Sequence, residues 1–325
     1  MLVQTGVPLA PLTTLQLGGP AGTLVVCESA ADLIAAVRDH PSALVLGGGS
    51  NVVLPDAGVD EVILVRSKGI HDLTVQAGED WDGLVAATLR DGRTGLEALS
   101  GIPGTVGASP IQNIGAYGAE LASVIDRVEA FDRTTGEVCR LTAEECGFAY
   151  RTSRFKREPG RWLVLAVTFA LAEGELSAPI GYAELAAALG VAVGERAPAG
   201  EVREAVLGLR RRKGMVLDPA DPDSVSVGSF FTNPVVERAP DGAPSWPADG
   251  GVKVSAAWMI QQAGFDKGWG DGRIGLSTKH ALALVNRGGG TAEELLSAAR
   301  TIRDGVRDRF GITLVNEPVL VGTAL

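Results

Sequence analysis

The sequence predicts an α+β chain of two or three domains, and three observations carry that reading. Its 325 residues exceed what one hydrophobic core comfortably organises. Amphipathic helices with recognisable caps are interspersed with short apolar strands, one pair of which reads as a hairpin. The composition also shifts near 200–226, towards basic and proline-rich segments, which marks a domain boundary with a smaller α+β domain behind it.

From the front, "GTLVVCE" (22–28) is a strand, and Ser29 with Asp32 caps a helix carrying Leu33, Ile34 and Val37. "ALVLGGGSNVVL" (43–54) reads as strand, glycine loop, strand, and "EVILV" (61–65) as another strand. A helix is expected over 80–91, with Leu84, Val85, Thr88 and Leu89 along one face and Gly92 as its stop. "RVEAFDRTTGEVCRL" (127–141) forms a hairpin around "TTGE". "RWLVLAVTFAL" (161–171) is apolar without alternation, so it has no solvent face and belongs centrally in a sheet. Residues 172–200 are small, acidic and loop-like around a short helix at 182–189.

A helix over about 200–212 ends in "RRRK", cations at the favourable pole of its dipole. Proline-rich loops follow at 218–226 and 238–251. Ser255 then caps a helix with Ala256, Met259, Ile260 and Ala263 inward and Gly264 as its stop. Thr291 and Glu294 make a capping box for a last helix that turns Leu295, Ala299, Ile302 and Val306 inward. "ITLVNEPVLVG" (312–322) closes the chain as a strand interrupted by Pro318.

Charge and composition exclude several function classes. A formal charge of −10 argues against general nucleic-acid binding, which needs Lys and Arg against the phosphates; cations gathered locally still suit a small anion. Cys27, Cys139 and Cys146 are odd in number and lack C-x-x-C spacing, so reduced thiols and no metal site are expected. The start lacks the basic-then-apolar pattern of a secretory leader, and no run approaches the roughly 18 apolar residues that span a bilayer. A cytoplasmic protein without membrane partners is the expectation, and His40 and His71 read as solvent-facing loop residues.

Two glycine-rich stretches carry the first chemical signal. "LGGGSN" (46–51) follows a strand, so its N–H groups can form an anion-binding nest. It matches neither G-x-G-x-x-G nor a P-loop, and a plain turn is an equal reading. "SGIPGTVGASPIQNIGAYG" (100–118) is too dense in glycine and proline for a helix or long strand, so it is an ordered winding loop. Its backbone donors, with Ser109, Gln112 and Asn113, suit a pyrophosphate and a flat heterocycle. Such a loop makes the front of the chain a cofactor domain.

Three charged or polar residues complete the candidates. Ser229 in "VGSFFTNPVV" lacks the G-x-S-x-G frame of a nucleophile elbow, so its hydroxyl is either packed in a strand or held in a dry pocket. Glu317 in "LVNEPVLV" is a carboxylate in apolar surroundings, hence paired, protonated or at a strand end. Arg151 in "YRTSRFKR" is either a surface cation, like Arg154, Lys156 and Arg157, or the partner of an anion.

Both glycine stretches, with "YRTSRFK" (150–156), "GSFFTNP" (228–234), "STKHALALVN" (277–286) and "NEP" (316–318) in that order, resemble the UDP-N-acetylenolpyruvoylglucosamine reductase family. The resemblance covers nearly the whole chain, and "GYAEL" (181–185) is similar to the tyrosine-bearing substrate loop of its longer subtype. It implies a two-lobed FAD domain of the vanillyl-alcohol-oxidase and p-cresol-methylhydroxylase type, plus the smaller α+β substrate domain. Lobe 1 would span 1–66, lobe 2 67–205 with the substrate loop at about 172–200, the substrate domain 206–312, and a returning C-terminal strand 313–325.

The implied activity is NADPH-dependent reduction of UDP-N-acetylglucosamine enolpyruvate to UDP-N-acetylmuramate for peptidoglycan precursors, by a monomer holding FAD non-covalently. Hydride goes to the vinyl carbon, Ser229 protonates its neighbour, and Arg151 and Glu317 stabilise the intermediate. FAD contacts carried over are Gly47, Gly48, Gly49, Ser50 and Asn51 on the first stretch. On the second they are Gly101, Ile102, Pro103, Gly104, Gly107, Ala108, Ser109, Gln112, Asn113, Gly115, Ala116 and Tyr117. Substrate contacts carried over are Tyr182, Lys213, Asn233, Trp246 and Lys253; Trp246 stands where longer-subtype members often have tyrosine, keeping a stacking surface without a hydroxyl.

Two rival readings explain less. A flavin-dependent oxidase of a sugar alcohol accounts for the glycine loops but leaves "GSFFTNP" and "NEP" unused. A non-catalytic sensor of UDP-sugars would purify colourless and consume no NADPH.

Overall fold

The apolar run at 161–171 becomes strand Trp162–Phe169 in the structure, a computed structural model that describes residues 1–325. It is the middle strand of a five-stranded antiparallel sheet ordered Glu137–Thr142, Ile125–Asp132, Trp162–Phe169, Thr74–Gln76, Ile70–His71. The missing alternation has a physical cause. Leu163 and Leu165 join one core with Val25, Leu33 and Ile63, while Val164, Val167 and Phe169 join another with Trp81, Leu84 and Val128. Both faces are dry, so every position but Thr168, whose hydroxyl meets that of Thr74 at 3.0 Å, is apolar.

Contacts divide the chain into two units. The first comprises Met1–Val7, Ala21–Gly48 and Asp60–Arg211, and the second Pro8–Pro20, Gly49–Val59 and Arg212–Leu325. The first unit also holds a four-stranded sheet ordered Leu2–Pro8, Pro20–Cys27, Val59–Val65, Leu44–Leu46, with the last pair parallel. Strand Leu2–Pro8 was not expected from sequence, because it lies at an edge with its side chains largely exposed and shows no apolar face.

Helix α1 (Ala30–Asp39) is capped by Ser29 as expected, its hydroxyl accepting from Asp32 N–H. Helix α2 (Trp81–Arg90) buries Leu84, Val85 and Thr88, and Gly92 follows at φ +68°. A short α3 (Arg154–Arg157) precedes the central strand, and α4 (Ala183–Leu189) and α5 (Ala199–Arg212) close the unit. His40 is not the free loop residue expected: it caps α1, and its Nδ1 lies 2.7 Å from Glu61 Oε1. The cysteines are free, and burial pushes the thiols of Cys27 and Cys146 up to about 11 and about 12.

The second unit is built on α6 (Ala256–Gln262) and α7 (Ala292–Phe310), which share a core with Phe230, Phe231, Ile274 and Leu284. Ser255 caps α6, and Thr291 with Glu294 forms a complete capping box on α7. The closing segment is less regular than a strand. Asn316 pairs once with Phe231, and beyond Pro318 the chain changes partner, Val319–Leu320 running parallel to Val52–Val53. Proline is where the swap falls because it has no N–H to continue a ladder. No helix is long and apolar enough to cross a membrane.

Candidate active site

Strand Leu44–Leu46 delivers the first glycine stretch against the second. A Cβ on Gly47 would lie 2.7 Å from Thr105 Oγ1, and one on Gly48 2.6 Å from Gly104 Cα. The second stretch is held in turn: Val106 N–H donates to Glu79 O and Gly107 N–H to Ala77 O, with a Cβ on Gly107 only 2.5 Å from Ala77 Cβ. The N–H groups of Gly48 and Gly104 reach no protein acceptor, the arrangement an anion such as a diphosphate completes. In the second unit Gly49 has φ +62°, and a Cβ there would collide with Leu12 O; Ser50 and Asn51 follow it.

Side chains of the second stretch are largely committed to the protein. Ser109 donates to Val106 O at 2.7 Å. Asn113, fully buried, donates to Glu120 Oε2 (3.1 Å) and Ala149 O (3.2 Å) and accepts from Ala122 N–H (3.0 Å). A cofactor in this loop therefore meets backbone and Gly, Ala and Ile surface, which suits a flat ring and a phosphate better than a charged partner.

Arg151 sits at the third position of a tight reversal in which Ala149 and Thr152 exchange both backbone hydrogen bonds. Its φ of +52° is unusual for a residue with a side chain and stores strain at a candidate site. The guanidinium is anchored by the carbonyls of Asn113 (3.3 Å) and Gly115 (2.6 Å), so it belongs to the glycine loop and is no solvated surface cation. Both Arg151→Ala and Arg151→Gly lose these bonds, but only glycine relieves the backbone. Arg151→Gly should therefore melt about 2 °C above Arg151→Ala, a gap of ~1 kcal/mol readable by thermal denaturation.

Tyr182, at the start of α4, meets Tyr117 of the glycine loop edge-on, with centroids 5.6 Å apart. Beside them lies a residue that sequence reading missed. Arg210 on α5 is buried, and burial draws its pKa down to about 10, with Tyr117 and Asp82 opposing the shift. The basic cluster disguised it. Val202, Val206 and Leu209 mark the inward stripe of α5, and position 210 falls at i+8 on that stripe, which was the available signal. Arg203 grips Asp82 through two bonds of 2.6 and 2.8 Å, and Asp82 also accepts Gly101 N–H. Burial alone would raise the Asp82 pKa; the Arg203 and Gly101 hydrogen bonds bring it below the usual carboxylate value. This pair bolts α5 to α2 and to the start of the glycine loop.

In the second unit the antiparallel bridge Phe231–Asn316 sets a register. Glu317 N–H donates to Phe230 O and Thr232 N–H to Val315 O, so Glu317 stands across from Phe230, next to Ser229. Ser229 is half-buried, while Phe230 and Phe231 are wholly buried and touch edge-on. Gly228 is needed for its φ of +72° and not for a close approach, since a Cβ there would meet nothing within 4 Å.

Asn233 Oδ1 accepts Ala256 N–H at 2.9 Å, tying "FFTNP" to the start of α6. Trp246 and Lys253 are directly opposed in the three-stranded sheet formed by Val235–Val236, Gly251–Val254 and Ser245–Ala248. Lys213, just past α5, is half-buried while Arg211 and Arg212 are exposed, and His280 Nδ1 accepts Leu282 N–H. Within each unit some candidates thus come together: Arg151 with the glycine loop, Tyr182 with Tyr117, Trp246 with Lys253, while Ser229 and Glu317 lie on paired segments one register position apart.

Two glycine loops in backbone contact, one following the parallel pair Leu44–Leu46 and Val59–Val65 and the other held by the turn after Thr74–Gln76 of the antiparallel sheet, fit an FAD-binding domain, and a model of that domain matches residues 21–142. The model of the UDP-N-acetylenolpyruvoylglucosamine reductase C-terminal domain matches residues 219–321. The reductase of Thermobifida fusca is 50% identical, covering 98% of each chain, and that of Salinispora arenicola 53% identical, covering 98% of this chain and 95% of its own. The crystal structure of the Thermus caldophilus enzyme superposes with a TM-score of 0.70 at 28% identity, covering 98% of both chains. The chain belongs to the UDP-N-acetylenolpyruvoylglucosamine reductase family.

Proposed function

We propose that this protein reduces UDP-N-acetylglucosamine enolpyruvate to UDP-N-acetylmuramate with NADPH, as a cytoplasmic monomer in peptidoglycan precursor synthesis. The observation that carries the reading is the register of Phe231 on Asn316, which brings the backbone of Glu317 across from Phe230, one residue along from the half-buried Ser229, in the family-matched part of the chain. FAD, held without a covalent bond, supplies the hydride chemistry when bound.

The residues of the chain do the rest. Hydride addition to the vinyl carbon leaves charge on its neighbour and, by conjugation, on the carboxylate. Ser229 Oγ–H delivers the proton to that neighbour, and the buried phenylalanines beside it keep bulk water from competing. Arg151 presents a fixed fork to the carboxylate, and Glu317 acts with it in stabilising the intermediate. Lys213, Tyr182, Asn233, Trp246 and Lys253 hold the UDP-sugar, with indole stacking in place of a tyrosine hydroxyl at position 246. Residues 1–66 and 67–205 act as the two flavin lobes, 206–312 receives the substrate, and 313–325 returns to the flavin domain.

One experiment tests the whole. The purified protein should be yellow, bleach anaerobically with NADPH, recover colour on addition of the enolpyruvyl substrate, and release its flavin on acid precipitation. A colourless protein, or a bleached one that only oxygen restores, overturns the reading.

A further inference from the structure

The candidate anion partner Arg151 is seated by groups its own segment does not provide. Its Nη1 donates to Asn113 O and its Nη2 to Gly115 O, and a Cβ on Gly115 would lie 2.8 Å from Nη1, so only glycine leaves room for the fork. The two carbonyls are fixed in turn by the Asn113 side chain. One amide hydrogen goes to Glu120 Oε2, on the strand opposite Gly115, and the other to Ala149 O, which opens the reversal carrying Arg151. Its Oδ1 takes Ala122 N–H, and its backbone adopts φ +47°, a conformation asparagine tolerates better than most residues. Both amide hydrogens and the carbonyl oxygen of a fully buried amide are thereby engaged by protein, and the two hydrogens lead to elements that touch Arg151, the strand pair of Gly115 and the reversal at Ala149.

We propose that Asn113 is a positioning residue that acts through Arg151, and that its side chain serves the guanidinium's aim at the substrate carboxylate and makes no contact with the flavin. The proposal rests on the carboxylate-binding reading of Arg151. Asn113 fixes where two carbonyls stand, those carbonyls fix the fork, and the fork must meet an anion whose charge grows during the reaction. Misplacement by about an ångström at such a point costs about 100-fold in rate.

The test uses the holoenzyme and three variants. Asn113→Gly keeps the left-handed backbone and deletes the side chain. Asn113→Asp keeps the acceptor for Ala122 but loses both donors and sets a carboxylate against Glu120. Asn113→Asp with Glu120→Gln restores a donor across that contact. In the first two, FAD occupancy and anaerobic bleaching by NADPH should stay within about twofold, while reoxidation by the enolpyruvyl substrate slows about 100-fold. The double variant should recover at least part of that loss.

Arg151→Ala separates the proposal from the reading beneath it. If Arg151→Ala leaves reoxidation unchanged, the role of Arg151 fails and this inference with it. If Arg151→Ala slows reoxidation but Asn113→Gly does not, the inference alone fails. If both slow it, Asn113→Gly added to Arg151→Ala should cost less than about threefold more, because the amide has nothing left to aim. Full additivity, or loss of FAD in step with rate, overturns the proposal; should Asn113→Asp not fold, Asn113→Gly and the additivity measurement decide.

Discussion

Ser229→Ala should purify yellow, bleach with NADPH at the rate of the unaltered protein, and then reoxidise with the enolpyruvyl substrate about 1,000-fold more slowly. The substitution removes one oxygen and little else. The flanking backbone is pinned by Phe230 N–H on Leu282 O at 2.8 Å and by Glu317 N–H on Phe230 O at 2.8 Å, neither of which involves the serine side chain. Phe230 stays buried in the core of the second unit, so the melting temperature should move by no more than about 1 °C.

The size of the effect follows from what replaces the hydroxyl. Hydride addition makes a strongly basic carbon, and a hydroxyl, although a weak acid, is positioned and needs no diffusion to reach it. Without Ser229 the proton must come from water that the phenylalanines help exclude. Ser229→Cys places a thiol, a stronger acid, at the same Cβ and should retain an intermediate rate. An unchanged rate in Ser229→Ala would return the hydroxyl to the other role its surroundings allow, a polar atom packed beside a strand.

Much of the fold was legible because its signals are local. Ser29, Ser255 and Thr291 each cap the helix they precede, since a cap needs only a side chain and an N–H two or three residues on. The strand at 162–169 could be read as central because two dry faces leave it almost wholly apolar, with Thr168 the one exception. Long-range facts were not legible. Nothing near Ser229 announces the segment of Glu317, because the two segments meet through a backbone pairing of Phe231 with Asn316, far apart in sequence. Arg151 and Arg210 show the same limit from opposite sides. One was named from its motif without a hint of its left-handed backbone, and the other was lost in "RRRK" until the inward stripe of α5 was fixed by packing.

Gly48→Ala should fold and purify without its yellow colour, with FAD affinity reduced more than 100-fold. The added methyl would lie 2.6 Å from Gly104 Cα and 3.0 Å from Gly104 C, and both are backbone atoms that cannot swing aside as a side-chain tip would. The two glycine stretches must therefore part. Their N–H groups then no longer converge, and each charge-assisted hydrogen bond lost to a phosphate is worth about 1.5–3 kcal/mol, so two such losses suffice. Gly136→Ala is the control within the same unit. It sits at φ +77° in the hairpin turn with nothing within 4 Å of the new methyl, so it pays only backbone strain. That variant should lose about 2 °C in melting temperature and keep its full complement of flavin, measured as flavin absorbance per mole of chain. Equal flavin loss in both would mean that general destabilisation empties the site. Loss in Gly48→Ala alone ties the cofactor to the close contact of two glycine backbones.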